Sequence, residues 1–422
     1  MTVKENNKGA KPLDVKPAEG VSFYTPAQIP PAGTALSAKD GKVPKLFTPI
    51  KIRGVEMQNR IWVSPMCQYS AHEGFHTPWH DTHLGGILQR GPGLTMIEAT
   101  AVAPNGRITP GDSGLWLDAH MAGLKKHVEF AHSQNVKIGI QIAHAGRKAS
   151  MVPPWLSFGA VAEKEAGGWP DDVVGTDSEP FSEDYCKPRE MSLAEIDQLR
   201  EDFKAAIARA VKVGFDVIEL HYAHGYLIST FLAPSSNKRT DKYGGSFENR
   251  VRLPLEIIDD ARSVMPKDMP LYVRISASDW LDTNPDYKGE VWDIKQAVEF
   301  AKLLPDHGVD VIDVSSGGIH SAQKITGGPA YQANFAKEIK KAVGDRLLVS
   351  AVGGIRSGKQ AEEIISGSDK EGDEPVDLVA AGRPFQKNPG LVWAWADELD
   401  TKIVVANQIG WGFSGRGTRK DS

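Results

Sequence analysis

The stretch "GFDVIELHYAHGYL" (214–227) passes from an apolar run straight into two histidines, two tyrosines and a glycine. Its first half is rich in Val, Ile and Leu without polar alternation, the pattern of a parallel strand covered on both faces. Its second half therefore places His221, His224 and Tyr226 at a strand's C-terminal end. One histidine there is commonly a hydrogen-bonded structural residue. Two of them three apart, with a tyrosine beside them, point to a site that holds something polar. Immediately upstream, "SLAEIDQLREDFKAAIARAVKV" (192–213) predicts an amphipathic helix, with Ser192 and Glu195 as a capping box and Gly214 as C-cap.

The same unit recurs along the chain. Further strands are predicted at 60–65, 94–99, 136–143, 271–276, 309–314, 346–351 and 376–381. Helical patterns lie near 119–134, 247–264, 292–307, 331–343, 356–367 and 389–399, and a weaker one at 78–90. Eight strands, each followed by a helix, predict an α/β fold of the (β/α)8 TIM-barrel type; a doubly wound sheet is the competitor, and the regular repetition favours closure. Residues 1–43, rich in Pro, Gly, Ala and Lys, read as an N-terminal arm that wraps the surface or is disordered. The barrel is expected over 44–400, opened by a hairpin cap around Arg53-Gly54 and interrupted after strand three by a lid-like insertion, 151–190. Smaller insertions fall at 281–291 and 367–375, and 401–422 form a C-terminal tail.

Composition narrows the function. The 422 residues are 41% hydrophobic and 24% charged, and the net charge of −5 argues against nucleic acid or an anionic membrane as partner. No apolar run is long enough to span a bilayer, and the N-terminus lacks a signal-peptide core, so a cytoplasmic protein is expected. Only Cys67 and Cys186 occur. A disulfide framework or a four-cysteine metal or iron–sulfur site is thereby excluded.

In a barrel of this kind chemistry collects where strands end. Strand one ends in Ser64, Pro65, Met66, Cys67 and Tyr69; strand two in Ala99; strand three carries Gln141. Cys67 alone reads as readily as a small buried hydrophobe, and Gln141 as a residue satisfying backbone groups. Arg274, inside the apolar strand five, needs an anion or carbonyl partner if buried. Gly353-Gly354 and Gly382-Arg383, after strands seven and eight, serve either as turns or as a phosphate cradle of exposed N–H groups plus one cation. The His pair has a metal reading, with Asp279 or Glu98 as third ligand, but neither has a diagnostic spacing.

Taken together, "KLFTPI", "NRIWVSPMCQYS", "IEATAVAPNGRIT", "IGIQIAHAGRKAS", "GFDVIELHYAHGYLISTFLAPSSNKRTDKYGGSFENRVR", "VRISASDW" and "AVGGIRSG…AAGRPF" resemble the old yellow enzyme family of FMN-dependent ene-reductases, most closely its thermophilic-like branch, over roughly residues 45–400. The resemblance implies non-covalent FMN across the barrel mouth, its phosphate at Gly353, Gly354, Gly382 and Arg383. Arg274 would lie at the N1/C2 side, Gln141 and Ala99 against the ring, and Ser64, Pro65, Met66 and Cys67 along its other parts, with Cys67 tuning the potential. His221 and His224 would bind the carbonyl of an activated alkene, with Tyr69 as a second hydroxyl near it and Tyr226 as proton donor. NADPH would act as a transient reductant in a ping-pong cycle, which needs no dinucleotide domain; no G-x-G-x-x-G opens a βαβ unit. The branch's C-terminal tail reaches a neighbouring subunit's site, implying a homodimer or higher homo-oligomer. Here Ile409 and Gly410 stand where an arginine is expected, with Trp411 retained and Arg416 nearby. The alternatives are a flavin-binding barrel with little ene-reductase activity and a metal-dependent barrel hydrolase.

Overall fold

The computed structural model describes residues 15–38, 40–367 and 373–414. Eight parallel strands form a closed barrel: β1 Ile61–Val63, β2 Leu94–Ala101, β3 Lys137–Ala143, β4 Val217–Tyr222, β5 Leu271–Ser276, β6 Val311–Ser315, β7 Leu348–Val352 and β8 Leu378–Ala381. Each pairs with its chain neighbours, and β8 closes on β1 through Val379 opposite Ile61. The expected TIM barrel is thus present, and all eight strands fall where the apolar runs place them.

The principal helices between strands are α1 Pro78–Leu88, α2 Met121–Ser133, α3 Leu193–Val213, α4 Leu227–Leu232, α5 Phe247–Val264, α6 Ile294–Leu303, α7 Ala333–Val343, α8 Gly358–Ser366, α9 Arg383–Lys387 and α10 Leu391–Glu398. The capping box of α3 forms as written: Ser192 N–H donates to Glu195 Oε2 at 2.8 Å, and Glu195 N–H returns to Ser192 Oγ at 3.3 Å. Gly214 ends the helix at φ +99°, a left-handed conformation that glycine adopts without a Cβ penalty. The short α4 and α9 escape a periodicity reading because they span fewer than two full turns.

Two apolar shells result. The larger lies between strands and helices and includes Ile97, Ile140, Phe203, Ile257 and Trp395. The smaller fills the barrel, with Trp62, Met96, Val217, Tyr272 and Val311, and is plugged from below by Ile52 and Met57. Those two come from a hairpin, Ile50–Ile52 with Val55–Met57, that turns at Arg53-Gly54. Arg53 ties the hairpin to the base of the barrel through Asp310 at 2.6 Å.

The N-terminal arm contains a strand that its composition does not announce. Ala35–Ala38 pairs antiparallel with Thr401–Ile403, so the two ends of the described chain lie side by side. Asn59, fully buried, donates to the carbonyls of Gly33 and Gly91 at 3.1 and 2.8 Å and accepts from Ile61 N–H. This side chain joins the arm to the start of β1. Of the smaller insertions, 367–375 includes residues 368–372, which lie outside the described set, as does Arg416. Among the described residues no helix is long and apolar enough to cross a membrane.

Asn59→Ala should leave buried carbonyls unpaired and cost about 1–3 kcal/mol. Denaturant unfolding will measure this loss, and limited proteolysis should show earlier cleavage within 15–34.

Candidate active site

The strand ends converge as the alternation of side chains along each strand requires. In β4, Val217, Glu219 and His221 share one face, and the next residues leave the barrel through a sharp turn. That turn needs left-handed backbone: His224 has φ +63° and Gly225 +73°. A Cβ on Gly225 would lie 2.0 Å from Gly318 O, so only glycine fits. His224 is tethered by its N–H to Ser276 Oγ at 2.8 Å and by Nε2 to Ser315 Oγ at 2.7 Å. The ring of His221 stands 5.3 Å from that of His224 and 5.0 Å from that of Tyr226.

These three rings line a cavity of about 350 Å³ at the C-terminal mouth. Ser64, Pro65, Met66, Cys67, Ala99, Gln141, Arg274, Gly353, Gly354, Gly382 and Arg383 line the same cavity. A β-bulge between Ile97 and Thr100 gives β2 an extra residue where Ala99 meets the cavity. Beside it Glu98 accepts the Gln68 N–H at 3.1 Å, anchoring the loop that carries Cys67. Tyr69 is the exception: it is outside the cavity lining and meets Trp155 of the insertion edge-on at 5.7 Å.

The glycines make one end of the cavity a bare backbone cradle. Gly353 and Gly354 have φ +102° and +69°, and a Cβ on either would come within 2.4 Å of Gln332 Nε2 or Gly328 O. Arg383 stands at the same end. A long cavity with an anion cradle at one end and a cation on its floor fits a planar ring bearing a phosphate tail, the shape of FMN.

The floor is charged. Arg274 Nη1 donates to Ser64 Oγ at 3.0 Å, and its Nε lies 3.1 Å from Asp313 Oδ2. Asp313 is the anion that the buried guanidinium demands. Deeper still, Glu219 accepts from Gln141 Nε2 at 2.7 Å, while its second oxygen and the Tyr272 hydroxyl have no partner. Burial pushes both carboxyls up, Glu219 further through the nearby Asp313. Burial and then Arg274 hold His221 and His224 well below the usual imidazole range, so both rings are neutral and each carries one N–H. Burial likewise raises Cys67 and Tyr226 far above their ordinary values, which keeps thiol and phenol protonated.

The metal reading loses its third ligand. Asp279 is occupied by Ser235 Oγ and the N–H groups of Leu281 and Trp292, and Glu98 by Gln68. Among the described residues no cluster of three or more His, Cys, Asp or Glu is disposed to hold a metal ion. Lining residues beyond the sequence reading include Ser315, Tyr331, Gln332 and Ile355. Ser315 ends β6 within "DVSSGG" (313–318), whose polar residues at a strand end carried a signal; Tyr331, Gln332 and Ile355 come from loops with no periodicity.

An acid whose folded pKa lies above its unfolded value binds more protons when folded, so stability falls as pH rises above the ordinary carboxylate range. Cofactor-stripped protein should therefore melt lower at pH 8 than at pH 6, and Glu219→Gln should remove the larger part of that fall, on the order of the 1.4 kcal/mol that one pKa unit represents, because Glu219 is pushed up to about 8 and Asp313 only to about 6. Thermal scans at the two pH values will check it.

The comparisons agree with this geometry. The model of the NADH:flavin oxidoreductase / NADH oxidase family matches residues 45–402. An NADH:flavin oxidoreductase of Gibberella zeae is 54% identical over 411 residues, covering 96% of this chain and 97% of that protein. An NADPH dehydrogenase of Bacillus subtilis is 42% identical over 371 residues, 87% of this chain and 99% of its own. Morphinone reductase shares the fold, with a TM-score of 0.66 at 24% identity over 87% of this chain and 92% of the other. With the barrel, the cradle and a family match that spans both, this chain belongs to the NADH:flavin oxidoreductase / NADH oxidase family, as an FMN-dependent oxidoreductase of the old yellow enzyme type.

Proposed function

We propose that this protein is an ene-reductase that uses NAD(P)H to reduce the C=C bond of α,β-unsaturated carbonyl compounds and related activated alkenes, including enals, enones, maleimides and nitroalkenes, by a ping-pong cycle. The observation that carries this reading is the convergence of His221, His224 and Tyr226 on one cavity whose far end is the Gly353-Gly354 and Gly382-Arg383 cradle. When bound there, FMN supplies the hydride carrier between the nicotinamide and the alkene. Gly353, Gly354, Gly382 and Arg383 would hold its phosphate, Gln141 and Ala99 would meet the ring, and Ser64, Pro65, Met66 and Cys67 would enclose it.

The protein's own part is electrostatic and protonic. Two neutral imidazoles donate N–H bonds to the substrate oxygen, and these bonds strengthen as negative charge gathers there. His221 has the freer ring, since its buried Nδ1 has no partner within the protein. Tyr226 keeps its proton at neutral pH and delivers it to the α-carbon as hydride reaches the β-carbon, regaining a proton from solvent afterwards. Arg274, fixed between Ser64 and Asp313, sets a permanent positive charge on the cavity floor.

Three measurements test this. Anaerobic NADPH should bleach the yellow protein and cyclohexenone should restore its colour; a protein that NADPH leaves yellow is not a reductase. Tyr226→Phe should slow alkene reduction by roughly 10²-fold or more while sparing flavin reduction. Equal losses in both half-reactions would remove the acid role. His221→Ala should weaken para-hydroxybenzaldehyde binding by about tenfold or more, read from the long-wavelength charge-transfer band.

A further inference from the structure

Lys148 has no role in the chemistry above, yet it links the turn that carries His224 to the loop after β6 and to the long insertion. It ends the short turn Gly146–Lys148 after β3. Its Nζ donates to His224 O at 2.8 Å and to Gly318 O in the loop after β6. The ammonium also stands 3.8 Å from the ring centre of Phe181, which belongs to the 151–190 insertion. Its neighbour Arg147 repeats the pattern, donating to Ile319 O at 2.6 Å and to Glu179 O at 3.4 Å. Two adjacent cations thus stitch the loop after β6 and the insertion's 179–181 turn to the end of β3.

Lys148 is an expensive choice for a structural tie. Burial and Arg147 lower its ammonium pKa to about 7, and among the described residues no carboxylate lies within ion-pair distance. In either protonation state the nitrogen retains at least two N–H bonds, enough for both carbonyls. What it holds is a strained residue. His224 is left-handed without being glycine, a conformation that costs roughly 1 kcal/mol or more and persists only where the surroundings over-determine it. Ser276 fixes the residue's N–H, Ser315 its ring, and Lys148 its carbonyl. Removal of the last tether frees the His224–Gly225 peptide to rotate and carries the imidazole out of register with His221.

We propose that Lys148 is a positioning residue for the substrate-oxygen clamp, holding His224 in its left-handed turn, and that Phe181 latches the insertion onto this lysine so that the lid and the clamp are set together. The cation–π contact is worth on the order of 0.5–2 kcal/mol, enough to bias the insertion's docking without locking it. This inference rests on the reading of His221 and His224 as the carbonyl clamp.

The test uses the FMN-loaded full chain, with para-hydroxybenzaldehyde as probe and His221→Ala as the reference. Lys148→Met should retain FMN, bind the phenol about tenfold more weakly and shift its charge-transfer band, with alkene reduction losing kcat as well as KM because the clamp's bonds strengthen as charge develops. Phe181→Leu leaves every hydrogen bond of Lys148 in place and should weaken the phenol by about two- to fivefold in the same direction. Should Lys148→Met fail to fold, Phe181→Leu decides alone. If His221→Ala weakens the phenol but both other variants bind it within twofold of the parent with an unshifted band, the positioning role is wrong and the clamp stands. If His221→Ala also leaves binding unchanged, the clamp itself is wrong.

Discussion

A guanidinium inside a barrel is the constraint around which the mouth of this protein is organised. Arg274 projects from β5 into a buried site at the barrel mouth, where an unpaired charge would be prohibitive. Its partners come from different strands: Asp313 on the neighbouring β6 and Ser64 beyond the end of β1. The ion pair joins two neighbouring strands, while the bond to Ser64 reaches the end of β1 across the closed barrel. Below it Glu219 and Gln141 form a second polar layer, so the floor is a stack of polar side chains between an apolar plug and an open mouth.

That stack explains why the site's titratable groups are neutral where neutrality is useful. The same burial and the same Arg274 that suppress protonation of His221 and His224 leave each ring one N–H to give. A pair of imidazolium ions would bind an oxygen more strongly at rest but would gain less as charge develops on it, and differential stabilisation is what accelerates a reaction. Tyr226, in contrast, gains its tenacious proton from desolvation beside Cys67 and Tyr69. The two imidazoles and the phenol are thus given opposite shifts by their surroundings within one short turn of chain.

The turn that carries them is costly and over-determined. Left-handed backbone at both His224 and Gly225 bends the chain back across the mouth, where Gly318 leaves no room for a side chain. Cations from the adjacent turn after β3 tie this bend to the loop after β6 and to the long insertion. Rigidity at this bend and placement of the insertion are therefore properties of one connected set of contacts.

By itself the amino-acid sequence determined the eight strands, the capped helix 193–213 and the residue types at each strand end, because apolar periodicity and caps depend on neighbours within a few positions. It also flagged Arg274 as a charge in want of a partner. Tertiary structure alone decided that the partner is Asp313, that Asp279 and Glu98 are occupied elsewhere, and that Tyr69 meets Trp155 of the insertion. It also decided that Ala35–Ala38 pairs with Thr401–Ile403 and that Lys148 reaches His224. These are contacts between residues tens to hundreds of positions apart. They form only when the fold brings separate segments together, and no local pattern encodes which side chains then meet.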